Sequence, residues 1–293
     1  MTKALITGAS GMVGYAVCRE AIDQGLNVFG LGRENRHFLP GMSFIHGDLT
    51  NTDALKSILE NIAPDLVIHL AANTDHKACE HSPEATRQLH VDASEYLAET
   101  TGLLGGRFVH ISTEAVYGNL GPGKRRETEE CFPQGVYATT KKEAEQRVLQ
   151  ANPDALVLRV TPVGFAPNGA KKTLAEWLFQ QFSQDKRVTG YDDVFFTPVS
   201  SYSLARLVLN QKLIGHHGIY NWGNMEILSK YDFACSLASS LGFKDAKIDS
   251  GRHSLNGDPL HGGLDSTALS KALGIPEPSK EDLLTDLTRH APK

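Results

Sequence analysis

The fold is decided at the start of the chain, by Ala4-Leu5-Ile6-Thr7-Gly8-Ala9-Ser10-Gly11-Met12-Val13-Gly14. A short apolar run reads as a buried strand, Gly8 ends it, and an amphipathic helical pattern follows at once. Glycines spaced at 8, 11 and 14 permit a tight turn, let backbone N–H groups approach a pyrophosphate, and let the helix pack close to a sheet. The helix N-terminus then favours an anion. Gly8, Ser10, Gly11, Met12, Val13 and Gly14 are therefore expected to bind the phosphates of a dinucleotide. A P-loop is excluded, because no Lys-Ser/Thr pair follows the glycines.

Glycines also serve ordinary turns, so the reading depends on what surrounds them. Apolar runs recur at Val28-Phe29, Phe44-Ile45, Leu66-Val67-Ile68, Phe108 to Ile111 and Leu156-Val157-Leu158, with helix-length segments between. Helices are expected at about 12–23, 52–62, 84–101 and 134–151, with Thr52 and Pro83 as start signals. Strands that are apolar throughout and alternate with helices require a parallel sheet covered on both faces. The expected fold is α/β: a Rossmann-type doubly wound parallel sheet over residues 1–160 that binds the dinucleotide, with a smaller α+β C-terminal substrate lobe over 161–293. Segment 200–221, a helix pattern followed by Gly218-Ile219-Tyr220, is a candidate to return to the first lobe.

Composition narrows the classes. The 293 residues are 41% hydrophobic and 22% charged, with a formal net charge of −5, an ordinary balance for a soluble globular protein. Lys and Arg are scattered, and the one tight basic cluster, Lys124-Arg125-Arg126, runs straight into Glu127, Glu129 and Glu130, so it reads as a solvated loop and no nucleic-acid partner is expected. No apolar run approaches the roughly 20 residues that cross a bilayer, and no signal peptide is read, so neither a membrane partner nor export is expected. Cys18, Cys79, Cys131 and Cys235 lie far apart without a CxxC pair, which fits reduced thiols in the cytoplasm.

Chemistry enters at Val136-Tyr137-Ala138-Thr139-Thr140-Lys141, where Tyr137 and Lys141 share a helix face at i and i+4. A neighbouring ammonium favours a phenolate, so Lys141 is expected to lower the pKa of Tyr137 and make proton exchange with a carbonyl or hydroxyl feasible. A second signal is Val109-His110-Ile111-Ser112-Thr113-Glu114-Ala115-Val116-Tyr117-Gly118, a buried strand ending in two hydroxyl residues at the edge where open α/β sheets bind ligands.

The Gly-x-x-Gly-x-x-Gly spacing and these two segments resemble the extended short-chain dehydrogenase/reductase family. The resemblance implies a Ser/Thr-Tyr-Lys triad, and alignment on Val116-Tyr117-Gly118 puts Thr113, rather than Ser112, in it beside Tyr137 and Lys141. It also implies cofactor contacts from Asp48 and Leu49 after the third strand and from Leu70, Ala71 and Ala72 after the fourth, with Tyr137 and Lys141 reaching the nicotinamide side. At the end of the second strand, where an acidic residue would bond the ribose of NAD, stands Leu31-Gly32-Arg33. A guanidinium suits a 2′-phosphate, so NADP(H) is favoured over NAD(H).

Within that family the chain is most similar to the dTDP-4-dehydrorhamnose reductase-like sugar-nucleotide reductases, through Ala71-Ala72-Asn73-Thr74, His110 to Glu114, Leu158-Arg159 and Ser229-Lys230-Tyr231-Asp232-Phe233-Ala234 among other segments. This implies NAD(P)H-dependent reduction of a keto group on a nucleotide-linked deoxysugar, with Thr74, Thr113 and Glu114 on the substrate. Related dehydratases carry an Asp-Glu pair after the threonine; Glu114-Ala115 lacks the second carboxylate, which favours reduction over elimination. His90 stands where many relatives have a structural Asn, which puts the bonding around Lys141 in question. Lys171, Lys172, Arg187 and Arg252 are generic diphosphate candidates that read more simply as surface charges.

Three other readings compete. An epimerase with retained NAD(P) would share the same residues, and a noncatalytic NADP-binding regulatory subunit would keep the fold without turnover. His76, Cys79, His81 and His90 lack paired zinc spacing, so no metal site is expected. The partner is a small molecule, most simply a nucleotide sugar; a homo-oligomer is compatible with the sequence but not specified by it.

Overall fold

The computed structural model describes residues 1–34, 39–166, 173–253 and 259–292. Seven strands make the central sheet: β1 (Lys3–Thr7), β2 (Asn27–Gly32), β3 (Met42–His46), β4 (Leu66–His69), β5 (Arg107–Thr113), β6 (Leu156–Val160) and β7 (Gly218–Trp222). Their order is β7-β6-β5-β4-β1-β2-β3, and every neighbouring pair is parallel. The winding reverses beside β1, which pairs with β2 on one side and β4 on the other. Such a switch point opens a crevice at the carboxyl ends of the strands.

Alternation explains why the strands are apolar on both faces. Ile6, Ile68, Val109 and Leu158 face one side, against Val17 and Ala21 of helix α1 (Met12–Asp23) and Leu204 and Val208 of the helix Ser201–Val208. Leu5, Val67, Phe108 and Val157 face the other, against Leu55 and Leu59 of helix α2 (Thr52–Ile62) and Leu97 of helix α3 (Ala93–Leu103). Gly218–Trp222 lies along β6, with Tyr220 opposite Leu158, so a segment far along the chain completes the first sheet.

The stretch read as one helix over 84–101 is divided. Pro83–Arg87 is followed by a π-helical turn, Gln88–Asp92, before α3 begins. The wider turn carries His90, and such turns are often found at functional sites. Helix α4 (Gly135–Ala151) then carries Tyr137 and Lys141.

The second lobe has its own apolar cluster, including Leu178, Phe182, Phe196, Phe233, Leu237, Leu283 and Leu287. Leu178 and Phe182 come from helix α5 (Leu174–Ser183), Phe233 and Leu237 from helix α6 (Lys230–Ser240). A small sheet has the order Leu228–Ser229, Val194–Phe196, Leu260–Leu264, Lys124–Arg125. Its last member corrects the reading of Lys124-Arg125-Arg126 as a solvated loop. Lys124 and Arg125 pair with Gly263 and Leu264, and Arg125 Nη2 donates to the carbonyls of Gly121 and Pro122 at 2.8 Å each. Among the described residues no helix is long and apolar enough to cross a membrane.

Candidate active site

The glycine turn sits at the switch point. Gly8 has φ of +67°, and a Cβ there would stand 2.9 Å from the Ala71 backbone nitrogen. A Cβ on Gly14 would come within 2.1 Å of the Gly8 carbonyl oxygen, so only glycine allows α1 to pack on the turn. Gly11 is the N-cap of α1 and supplies no side-chain acceptor, whereas Asn51, Thr173 and Ser229 cap α2, α5 and α6 with side-chain oxygens. The first N–H groups of α1 are thus open to an external anion. Val13 turns its side chain to the core, leaving its backbone to face the turn. The Met12 sulfur lies close to Gly164 of the second lobe, and Ser10 Oγ donates to the Glu34 carbonyl at 2.6 Å.

At the end of β2 Arg33 is exposed, and among the described residues it has no ion-pair partner at bonding distance. Asp48 is held by Thr50, whose N–H and hydroxyl donate to it at 2.9 and 2.8 Å. Those bonds, with a smaller contribution from the Arg33 charge, keep its carboxyl below the usual range. Leu49 is buried, while Leu70, Ala71 and Ala72 line the chain after β4 as half-buried residues. Thr7 Oγ1 accepts the N–H groups of Leu70 and Ala71 at 3.2 Å each, which fixes that segment beside Gly8.

Thr113 and Tyr137 meet at the carboxyl end of β5. The Thr113 hydroxyl donates to Glu114 Oε2 at 2.9 Å and caps the short 3-10 turn Glu114–Tyr117 by accepting from the Ala115 N–H at 3.2 Å. The Tyr137 pKa is raised, first by burial and then by the Glu114 carboxylate, with the neighbouring Thr113 hydroxyl pulling the other way. This corrects the expectation that Lys141 lowers it. Lys141 Nζ turns to the floor of the site, donating to the Ile111 carbonyl at 2.7 Å and meeting His110 Nε2 at 3.1 Å. Burial lowers the Lys141 pKa to about 8, with Glu145 opposing. An ammonium has three donors, so one Lys141 N–H is left over.

Beneath these residues lies a polar layer that the sequence reading did not assemble. Thr7 Oγ1 meets His69 Nδ1 at 2.7 Å, His69 Nε2 meets Ser94 Oγ at 2.9 Å, and Ser94 donates to the His90 carbonyl. Burial lowers His69 to about 3. His90 Nε2 accepts the Asn73 N–H at 2.9 Å, which leaves Nδ1 to donate to Thr140 Oγ1 at 2.9 Å. Burial lowers His90 to about 4, helped by the Lys141 charge. His90 therefore ties the loop after β4 to α4 and touches Tyr137 edge-on at 5.8 Å, while the His76 ring lies tilted by 32° against the same ring at 4.6 Å.

Glu145 and Arg159 are 0% and 1% exposed and form a two-pronged pair, Nε to Oε1 at 2.8 Å and Nη2 to Oε2 at 2.7 Å. Ser112 donates to Glu145 Oε1 at 2.6 Å. The pair thus anchors the residue before Thr113 and the helix turn after Lys141. A guanidinium inside the apolar strand Leu156–Val160 demands a buried partner, and that demand was the sequence signal for Glu145, four residues after Lys141.

Other expected residues lie apart from this group. Thr74 is exposed on the loop after β4, Arg187 is an exposed partner of Asp249, and Arg252 is exposed. Lys171 and Lys172 lie outside the described residues. Cys79 donates to the Asn73 carbonyl, and among the described residues no three His, Cys, Asp or Glu side chains gather as metal ligands. None of the four cysteines is in a disulfide.

A parallel sheet with this winding and a glycine turn at its switch point are the fold of the extended short-chain dehydrogenase/reductases. The chain belongs to the family described as the RmlD substrate binding domain, whose model matches residues 2–290. Among curated relatives, methionine adenosyltransferase 2 subunit beta of Xenopus laevis is 29% identical over 84% of this chain and 74% of its own. The dTDP-4-dehydrorhamnose reductase of Aggregatibacter actinomycetemcomitans is 25% identical over 99% of this chain and all of its own. Among solved structures, dTDP-4-dehydrorhamnose reductase from Bacillus anthracis in complex with NADP superimposes with a TM-score of 0.81, at 19% identity, over 98% of this chain and 99% of that one.

Proposed function

We propose that the protein is an NADP(H)-dependent oxidoreductase that reduces a keto group on a nucleotide-linked deoxysugar. The observation that carries this reading is the meeting of Thr113 and Tyr137 at the sheet edge, with Lys141 one helical turn on from Tyr137 and bonded to the Ile111 carbonyl of β5. Residues 1–160 with β7 hold the dinucleotide, and the remaining lobe closes over the sugar nucleotide. The free N–H groups at the start of α1 and the bare approach at Gly8 suit a pyrophosphate. Arg33, without a partner among the described residues, suits the 2′-phosphate that separates NADP from NAD. Four cysteines outside any disulfide suit the cytoplasm.

The cofactor, when bound, supplies a hydride to the carbonyl carbon. Everything else falls to the chain. The Thr113 hydroxyl, turning its one proton from Glu114 to the substrate oxygen, orients that oxygen, and Tyr137 Oη delivers the proton to it. Its raised pKa keeps the phenol protonated at neutral pH, which is the form a reduction consumes. Lys141 holds the β5 edge through the Ile111 carbonyl and offers its remaining N–H to a ribose hydroxyl. Ala115 supplies no second carboxylate, so no base is present there for water elimination. The test is NADPH consumption against dTDP-, GDP-, UDP- and CDP-4-keto sugars: wild type turns over at least one of them, and Tyr137→Phe turns over none while still being stabilised by NADPH. Full activity in Tyr137→Phe would refute the assignment.

A second reading, a noncatalytic NADP-binding regulatory subunit, draws on the likeness to methionine adenosyltransferase beta subunits. It predicts thermal stabilisation by NADPH in wild type with no turnover on any member of the panel.

A further inference from the structure

Lys230 is the first residue of α6, directly after the capping residue Ser229. Its Nζ stands 3.3 Å from the centroid of the Phe196 ring. The strand Val194–Phe196 places Phe196 beside Leu228 on one side and Gly262 on the other. Glu114 arrives at the same place from the first lobe, since a Cβ on Gly262 would lie 3.1 Å from Glu114 Cγ. Glu114 accepts the Thr113 hydroxyl, and Thr113 adjoins Tyr137. Tyr137, Thr113, Glu114 and Lys230 therefore follow one another from one lobe to the other.

Among the described residues the Lys230 ammonium has neither a hydrogen-bond acceptor nor an ion-pair partner at bonding distance. A ring face steadies a cation without consuming any of its three N–H donors. Glu114 uses one carboxylate oxygen on Thr113, and a carboxylate offers about four lone-pair sites. A donor-only group and an acceptor-only group thus stand close together, both with capacity to spare. Burial lowers the Lys230 pKa to about 8, while Glu114 holds it up, so the two charges feel each other. A phosphate would be repelled by that carboxylate. A hydroxyl donates and accepts at once and satisfies both groups.

We propose that Lys230 and Glu114 form a donor-acceptor pair that binds a hydroxyl-bearing carbon of the sugar next to the carbon addressed by Thr113 and Tyr137, which makes Lys230 a specificity-determining residue. The inference rests on the reading of the substrate as a nucleotide-linked sugar. It restricts that class to sugars that keep a free hydroxyl beside the reacting carbon. A substrate lacking the hydroxyl would leave the half-buried Lys230 ammonium without an acceptor and Glu114 with an unused oxygen, which disfavours binding.

Lys230→Met tests it, because the unbranched side chain still packs on Phe196 but has no donor. Two quantities are measured: the Kd of unreactive dTDP-glucose, UDP-glucose and GDP-mannose with their nucleoside diphosphates by calorimetry, and NADPH consumption on the matching 4-keto sugars. The Kd of the best sugar nucleotide and the KM of its keto form should rise tenfold or more, with the affinities for the nucleoside diphosphate and NADPH unchanged. In a Glu114→Gln background the same substitution should cost less, as expected for groups that act as a pair. Unchanged sugar-nucleotide affinity in Lys230→Met overturns the proposal, and so does an equal loss for the nucleoside diphosphate, which would mark a phosphate contact. So does a wild type that binds none of the three sugar nucleotides. Lys230-dependent sugar binding without any NADPH consumption would sink the reductase reading and leave this inference standing; turnover with an unchanged KM in Lys230→Met would do the reverse.

Discussion

Tyr137 holds its proton more firmly than an ordinary phenol. Burial and Glu114 raise its pKa, and Thr113 offsets them only in part. Replacing Glu114 with Gln removes the negative charge, so the phenol should lose its proton at lower pH. The basic limb of the kcat profile should then move to lower pH than in wild type, and an unmoved limb would show that Glu114 does not govern Tyr137. Glu145 is a different case, because its work is done underneath the site. Glu145→Ala strands Arg159 as an unpaired cation at 1% exposure, a change that typically costs about 3–5 kcal/mol. A urea titration should show that loss, and Glu145→Leu with Arg159→Met should recover most of it. A small loss in the single variant would mean that water reaches Arg159.

At the scale of elements, the strand-turn-helix at the start of the chain is the most constrained unit. Gly14→Ala sets a methyl group against the Gly8 carbonyl, and overpacking of this kind costs about 1–3 kcal/mol. The variant should melt earlier and bind NADPH more weakly, whereas Gly11→Ala, whose Cβ would lie 3.3 Å from that oxygen, should be milder. Equal effects would remove the close packing of α1 from the argument. This unit was legible in the sequence because glycine spacing, apolar run and helical pattern all report one local geometry. The α4 pair of Tyr137 and Lys141 was legible as a pair, but not in its direction. Helical spacing puts two residues on one face and says nothing of the Ile111 carbonyl and His110 ring that draw Lys141 to the floor. Nor could spacing show the π-helical turn at Gln88–Asp92, whose His90 bonds to Asn73 and Thr140 from distant segments.

Across the whole molecule, the sheet was readable from alternating apolar runs, while the second lobe was not. Its short strands, such as Lys124–Arg125 and Leu228–Ser229, have no periodicity to detect and exist only by pairing with residues far along the chain. For that reason the sequence marks Lys230 only as part of the segment 229–234, and Arg187, a generic diphosphate candidate, is an exposed partner of Asp249. The lobes share a consequence for pH. His69 and His90 are buried with pKa values lowered to about 3 and about 4, and His110 is lowered as well. As pH falls below about 6.5 the unfolded chain takes up protons that the folded chain does not, so stability drops. One pKa unit corresponds to about 1.4 kcal/mol, so each of His69 and His90 should cost up to about 2 kcal/mol at pH 5 relative to pH 7. Lys141 and Lys230, both lowered to about 8, act in the same direction between about 8 and 10.5, where raising the pH favours the fold. Urea midpoints that stay level from pH 7 to pH 5 would contradict the buried, neutral histidines.

The central claim is that hydride moves from a nicotinamide to a sugar carbon while Tyr137 gives the proton. The most direct measurement supplies NADPH carrying deuterium in the transferred C4 position, together with the 4-keto sugar nucleotide that wild type consumes, and reads the product by mass spectrometry. One deuterium on the former carbonyl carbon, matched by one NADPH oxidised and lost in Tyr137→Phe, is the predicted result. An unlabelled sugar with NADPH intact, across the whole nucleotide panel, would contradict it.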